Sequence, residues 1–151
     1  MKIQPTEKEL AKFFFANLDA WYERIEPSRG MHTGIPDALV MTEAVGIMPV
    51  EFKIGSLSDN TLHMSEVRPA QIGWHKSFAM QNKDKCVCSL FVVGVWSEDS
   101  KSWSMYAFEG IFADMWEDGI PLDDPILYHV DSRFVIECLD AIANDILDCS
   151  D

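Results

Sequence analysis

Two carboxylates and a lysine stand close together in the stretch GIPDALVMTEAVGIMPVEFKIG, residues 34–55. Asp37 directly follows a Gly-Ile-Pro turn, and one residue separates Glu51 from Lys53. If both carboxylates reach one place, their charges repel each other unless a cation neutralises them. Oxygen ligands with free positions for water suit Mg²⁺, which can activate a water and stabilise charge on a phosphate. Lys53 could then hold the attacking water or neutralise the developing phosphate.

A β-hairpin is predicted to bring these side chains together. Residues 38–43 and 49–54 are rich in apolar and β-branched residues and are joined by residues 44–46, a pattern that predicts two short antiparallel strands. In the second strand, a period of two places Glu51 and Lys53 on one face and the apolar residues on the other.

Helices are predicted before and after this hairpin. Residues 6 to about 23 begin with a capping-box pattern, and four apolar residues then recur at helical spacing: Leu10, Phe14, Leu18 and Trp21. Residues 55–67 are polar and predict a loop. Pro69 is well placed to begin a second helix that runs to about Met80.

The remaining elements complete a single α/β (α+β) domain over residues 1–151. The nearly continuous apolar run at 86–96 predicts a central strand covered on both faces, with residues 102–110 as its antiparallel neighbour. A final helix is predicted from Asp131, because apolar residues recur on one face. We therefore expect a central mixed sheet flanked by helices, with a core at about 6–110 and an acidic extension at about 111–151.

Bulk composition favours one packed domain and weighs against broad contact with nucleic acid. The chain has 151 residues, 48% of them hydrophobic, and a formal charge of -13. Residues 1–101 hold 13 acids and 11 bases, whereas residues 102–151 hold 12 acids and only Arg133 as a base. This field repels phosphates, and salt limits any favourable patch to a Debye length of about 8 Å.

Cysteine spacing and hydropathy predict a protein of the cytoplasm. The four cysteines, at positions 86, 88, 138 and 149, lack the spacing of a zinc site and are expected to be free thiols. No apolar run approaches the roughly 18 residues of a membrane span, and no signal-peptide pattern opens the chain.

The residues quoted above resemble a known enzyme superfamily. Gly34-Ile35-Pro36-Asp37, followed after a gap of thirteen residues by Glu51-Phe52-Lys53, is similar to the signature of PD-(D/E)XK nucleases. The wider frame RIEPSRGMHTGIPD, VEFK and VRPAQIGWH resembles small phage-encoded members described as Holliday-junction-resolvase-like or VRR-NUC-like. The resemblance covers about residues 20–110. It implies a restriction-endonuclease-like α-β-β-β-α-β core, with YERIEP forming part of an early strand.

The resemblance also implies roles for individual residues. Asp37 and Glu51 would bind Mg²⁺ or Mn²⁺, Lys53 would be the catalytic lysine, and Gln71 would orient the water. Glu26 corresponds to an acid upstream of the Pro-Asp pair and would be a further metal ligand. Three other acids are rivals for that role: Glu7, Glu9 and Glu23.

The implied activity is a metal-dependent DNA endonuclease acting on branched DNA, such as Holliday junctions, in phage recombination or processing. Arg29, Arg68 and Lys76 would contact DNA, and Arg24 could reach a phosphate as well. Resolvase-like relatives work as dimers, so the resemblance implies a homodimer in the cytoplasm of the host cell. No membrane partner is expected.

Each of these residues also has a structural interpretation. Asp37 could be a turn acid, and Glu51 and Lys53 could form a solvated strand face. Gln71 and Arg68 could pin the loop before a helix. For His75 the interpretations are a structural role or a contact with the substrate, and for Trp74 they are a place in the core or a platform on which a base stacks. The alternative function is a catalytically silent nuclease fold whose acidic third binds a basic protein or mimics DNA.

Overall fold

The computed structural model describes residues 5–25 and 34–148, with the side chain of Asp148 left aside. Within these ranges the chain forms three α-helices, one 3₁₀ helix and eight strands. In chain order they are α1 (Glu7–Ala16), β1 (Tyr22–Arg24), β2 (Ala38–Thr42), β3 (Gly46–Ser58), β4 (Thr61–Met64), α2 (Pro69–Gln81), β5 (Leu90–Ser97), β6 (Ser102–Glu109), the 3₁₀ helix (Gly110–Glu117), β7 (Ile120–Pro121), β8 (Tyr128–Val130) and α3 (Val135–Asp148). No helix in these ranges is long and apolar enough to cross a membrane.

One mixed sheet organises the chain, so the predicted fold class is confirmed. Its main order is β1-β2-β3-β5-β6-β8, and β4 and β7 form a side branch on β3. Among the strands of the described residues, β3 and β5 alone run parallel, and the other pairs are antiparallel. Helices α1 and α3 cover one face with the larger apolar core, and α2 and the 3₁₀ helix cover the other face.

Helix α1 is shorter than the predicted helix at 6–23. Thr6 caps it as expected, accepting a hydrogen bond from the Glu9 backbone N–H at 3.3 Å. It ends at Ala16 because Asn17 turns back, with both its backbone N–H and its side-chain Nδ2 donating to the Phe13 carbonyl. The chain then extends into β1, which pairs with β2. Trp21, which the helical spacing groups with Leu10, Phe14 and Leu18, lies beyond the end of α1 and is 53% exposed.

Strand β3 is the longest strand, and it overturns the predicted loop at 55–67. The hairpin of β2 and β3 is confirmed, but β3 continues for thirteen residues and turns back into β4. The turn consists of Asp59 and Asn60, whose φ angles are 52° and 57°. Two consecutive left-handed residues form a tight hairpin turn, and Asp and Asn tolerate that conformation.

The acidic third of the chain is built into the sheet and the cores. Strand β8 pairs with β6, and α3 contributes four residues to the larger core: Val135, Leu139, Ile142 and Ala143. Helix α3 begins at Val135 rather than at the predicted Asp131. The Asp131 side chain instead accepts the Arg133 backbone N–H at 2.9 Å, and this local turn precedes the helix.

Candidate active site

Four of the predicted residues, Asp37, Glu51, Lys53 and Gln71, meet at a gap between two strand pairings along one edge of β3. On this edge β2 pairs with residues 46–50 of β3 and β4 pairs with residues 55–58, while β5 occupies the opposite edge. Between the two pairings, the Phe52 N–H donates to Asp37 Oδ2 at 2.8 Å and the Ile54 carbonyl accepts from the Ser65 N–H at 2.8 Å. We call this gap, at residues 51–54 of β3, the notch.

Asp37 is held at the mouth of the notch by the turn that precedes β2. Gly34 has a φ of 98°, and a Cβ at this position would lie 2.3 Å from the Ala70 carbonyl oxygen at the start of α2. Only glycine fits both this conformation and this close approach. The Asp37 carbonyl accepts from the Ile25 N–H at 2.8 Å, so β1 secures the turn from the other side. The Asp37 side chain is exposed.

Glu51 lies behind Asp37 and is completely buried. Its Oε1 accepts a hydrogen bond from Gln71 Nε2 at 2.5 Å, and its Oε2 receives none from the described residues. The pKa of Glu51 is raised to about 9, first by burial and then by Asp37, which accepts the carboxyl proton and repels the charged form. Lys53 and Gln71 act in the opposite direction. The carboxyl group is therefore neutral at pH 7 when no cation is bound nearby.

Lys53 is 4% exposed, which rules out a solvated strand face for this residue and for Glu51. Its ammonium group donates to the Glu66 carbonyl at 2.8 Å and to Gln71 Oε1 at 3.1 Å. Glu7, in the first turn of α1, approaches it with an oxygen 3.9 Å from Nζ. The predicted alternation of faces is correct, but α2 and the 65–68 segment cover the polar side.

Gln71 connects the two buried ionisable groups and also anchors α2. It donates to Glu51 and accepts from Lys53, and its Oε1 accepts the Arg68 backbone N–H at 3.0 Å. The helix begins at Pro69, as predicted, and this places Gln71 in the first turn, facing the sheet. The side chain therefore has the structural role considered for it as well as a position within the candidate site.

A surface pocket of about 210 Å³ opens beside Asp37. It is lined by residues of α1, β1, β3 and the Asp37 turn: Glu7, Lys8, Ala11, Arg24, Ile25, Asp37 and Phe52. Among the three rivals to Glu26 as the upstream acid, Glu7 is the one that lines this pocket. Neither the packing of α1 against β3 nor the Glu66 carbonyl that binds Lys53 had a local signal in the sequence.

The donor set fits a hard cation only in part. Asp37 and Glu51 supply carboxylate oxygens, and Oε2 of Glu51 is buried without a donor, as an unfilled ligand position would be. Within residues 5–25 and 34–148, however, no group of three or more His, Cys, Asp or Glu side chains is arranged to hold a metal ion. Water and substrate oxygens would have to complete the coordination.

The basic residues that were predicted to contact DNA do not cluster at the notch as the acids do. Arg68 is the exposed N-cap residue of α2, and Lys76 forms an ion pair with Asp114 of the 3₁₀ helix at 2.9 Å. Glu26 and Arg29 lie outside the described residues, so their predicted roles stay predictions.

A second buried polar cluster lies one helical turn further along α2. His75 is 0% exposed, and its Nδ1 lies 2.7 Å from Ser89 Oγ. Burial lowers the pKa of His75 to about 4, and Nε2 has no partner among the described residues. Trp74 is half-buried and stacks on Phe78 with ring centroids 5.2 Å apart. His75 contacts no open surface, in agreement with its structural interpretation.

Comparison with protein-family models, curated protein sequences and solved structures found no match to this chain.

Proposed function

We propose that the chain is a metal-dependent endonuclease that hydrolyses DNA phosphodiester bonds at the notch. One observation carries this proposal: Asp37 and Glu51 adjoin each other beside an open pocket, and Lys53 and Gln71 are hydrogen-bonded directly behind them. Glu51 is buried next to a second carboxylate, Asp37, which lines the pocket, and such a costly placement of an acid points to a ligand.

Asp37 and Glu51 would hold Mg²⁺ or Mn²⁺, with Glu7 as a nearby acid. The cation would supply a more acidic water and stabilise charge on the phosphate. It would have to displace the proton that Glu51 carries at neutral pH. Gln71 orients Glu51 and Lys53 through opposite ends of one amide. Lys53 places a positive charge beside the carboxylates, where it can stabilise an attacking hydroxide or the developing phosphate charge.

The resemblance to PD-(D/E)XK nucleases supports the proposal. The order of the chain's first elements agrees with the core that this resemblance implies. Apart from the β4 hairpin, the first elements run α-β-β-β-α-β, and the strand with the acid-x-lysine triplet lies beside a parallel strand. Branched DNA as the substrate, a homodimer as the active assembly and the cytoplasm as the place of action follow from the resemblance alone.

The test is cleavage of labelled duplex, flap and four-way-junction DNA with Mg²⁺, Mn²⁺ or EDTA. The native chain is compared with Asp37→Asn and Lys53→Met, and Asp59→Asn is the matched control at an exposed acid on the distant hairpin turn. We expect native protein and Asp59→Asn to cut in either metal, and the two notch variants to be inactive. Equal cutting by all four proteins, or none by the native chain, would refute the proposal.

A second candidate function rests on the acidic third of the chain. Residues 102–151 carry a net charge of -11, from 12 acids and one base, and that base, Arg133, is paired with Asp131. A nuclease fold without activity could present this surface to a basic protein. This candidate predicts tight binding to a basic partner with no metal-dependent cutting, so the cleavage assay separates the two functions.

A further inference from the structure

The pocket beside Asp37 is lined by cations as well as by acids. Lys8 reaches it from the first turn of α1 and Arg24 from β1, while Glu7 and Asp37 contribute the carboxylates. A site for a metal ion alone would need only oxygen ligands. Two cations in the lining of the same pocket suit a negatively charged ligand that binds together with a metal ion.

Both cations are available to a ligand. Among residues 5–25 and 34–148, neither Lys8 nor Arg24 lies within 4.0 Å of a carboxylate oxygen, although Glu7 and Asp37 line the same pocket. Both residues are exposed. Four other basic residues are already engaged: Lys53 is buried, Lys76 pairs with Asp114, Lys101 with Glu98 and Arg133 with Asp131. The remaining described bases, Lys12, Arg68, Lys83 and Lys85, do not line the pocket.

Arg24 is also oriented before any ligand arrives. Its guanidinium carbon lies 5.5 Å from the centroid of the Phe15 ring, and Phe15 itself is packed in the larger core. Stacking on a fixed ring restrains a long side chain and lowers the entropy lost when it binds. A planar guanidinium can pair with two phosphate oxygens, whereas Lys8 supplies a point charge.

We infer that Lys8 and Arg24 form a phosphate-binding half-site that holds a DNA backbone phosphate against the notch. The inference rests on the proposed function and adds the residues that would bind the DNA phosphate. The chain has a net charge of -13, so DNA is repelled over most of the surface. Lys8 and Arg24, which form no ion pair within residues 5–25 and 34–148, overcome this repulsion at the place where a phosphate must meet the metal ligands.

The test is equilibrium binding of a fluorescent 30-base-pair duplex and a four-way junction, with Ca²⁺ in place of Mg²⁺ so that binding is measured apart from cutting. Native protein is compared with Lys8→Ala, Arg24→Ala and Lys12→Ala across a salt series. Lys12 is the matched control because it is an exposed lysine one turn further along α1 and does not line the pocket. Thermal unfolding of each variant checks the fold.

We expect Lys8→Ala and Arg24→Ala each to weaken binding about fivefold and to lower the slope of log K against log salt by about one. Lys12→Ala should stay within about twofold of native. If native protein binds and cuts but all three variants bind alike, the half-site is refuted and the nuclease proposal stands. If binding depends on Lys8 and Arg24 but no metal supports cutting, the half-site stands and the nuclease proposal fails. If native protein neither binds nor cuts DNA, both are refuted.

Discussion

Two buried polar clusters lie one helical turn apart on α2, and they differ in whether residues that line a pocket adjoin them. The open cluster consists of Glu51, Lys53 and Gln71, and it adjoins Asp37 and a pocket of about 210 Å³. The sealed cluster consists of His75 and Ser89. Both contain an ionisable group that burial drives toward its neutral form, by raising the pKa of Glu51 and lowering the pKa of His75.

The sealed cluster is enclosed by close packing. A Cβ at Gly110 would lie 2.4 Å from both His75 Nδ1 and Ser89 Oγ, so only glycine fits against this pair. The Phe91 ring covers the histidine, with centroids 4.6 Å apart. A buried polar group with a shifted pKa therefore does not by itself identify an active site. What distinguishes the open cluster is its contact with residues that line a pocket: Asp37 adjoins Glu51, and Glu7 approaches Lys53.

Matched substitutions on α2 should separate the clusters most strongly. Gln71→Leu removes the amide that orients Glu51 and Lys53, and we expect cleavage to fall by about 10²–10³-fold, as when one preorganised polar group is lost from an active site. His75→Leu places the same side chain one turn away and should change the rate by less than about threefold. Rates from single-turnover cleavage check this contrast. Similar losses in the two variants would remove the distinction between the clusters.

The sealed cluster should control stability in acid. The pKa of His75 is lowered from 6.5 to about 4 in the folded state, so between these values the unfolded chain binds a proton that the folded chain does not. The free energy of unfolding should therefore fall as the pH drops from 6.5 to 4, by roughly 3 kcal/mol from this group.

Urea unfolding of native protein and His75→Leu between pH 4 and 7 isolates this contribution, because other acids titrate in both proteins. The variant should lose less stability than the native chain as the pH falls. Parallel curves for the two proteins would show that His75 does not have this role.

The open cluster depends on how closely the Asp37 turn approaches α2. Gly34→Ala would place a methyl group against the Ala70 carbonyl at a positive φ, and we expect a loss of about 1–3 kcal/mol in the free energy of unfolding. Gly73→Ala is the control, since nothing lies within 4 Å of its Cβ position in α2. It should stabilise the protein by about 0.5–1 kcal/mol. Chemical denaturation measures both, and equal effects would contradict this packing.

The smallest effect is expected at the edge of the acidic third. Asp114→Asn breaks the exposed ion pair with Lys76 and should change stability by less than about 1 kcal/mol. If Lys76 contacts DNA, its release should strengthen DNA binding about twofold. Asp118→Asn makes the same charge change at an exposed position and controls for the net charge. Equal binding by the two variants would show that Lys76 has no part in DNA contact.

Much of the fold could be predicted because its signals are local. Pro69 fixed the start of α2, the apolar run predicted β5, and alternation assigned the faces of β3. Strand β1 had no local signal, because its three residues are exposed at a sheet edge and owe their extended form to pairing with β2; only the resemblance, which placed YERIEP in an early strand, indicated it. The turn at Asp59 and Asn60 was not predicted, because it lies within a polar stretch that is typical of loops.

The residues of the candidate site could be named from the sequence, but their burial and their contacts with other segments could not be predicted. The spacing of Asp37, Glu51 and Lys53 is visible in the sequence, whereas the burial of Glu51 and Lys53 depends on α2 and residues 65–68 packing over β3. The Lys53 bond to the Glu66 carbonyl and the approach of Glu7 join segments far apart in the chain. No periodic pattern encodes such contacts.

The proposed metal site at the notch is tested most directly by finding where a metal ion binds on the protein. Mn²⁺ broadens the NMR signals of nearby nuclei, so small additions to the isotope-labelled native chain would show where it binds first. We predict that the amide signals of Ile25, Asp37 and Phe52 disappear before others, and that Asp37→Asn abolishes this pattern. Broadening that begins instead among the acids of residues 114–124, and that is the same in Asp37→Asn, would contradict a metal site at the notch.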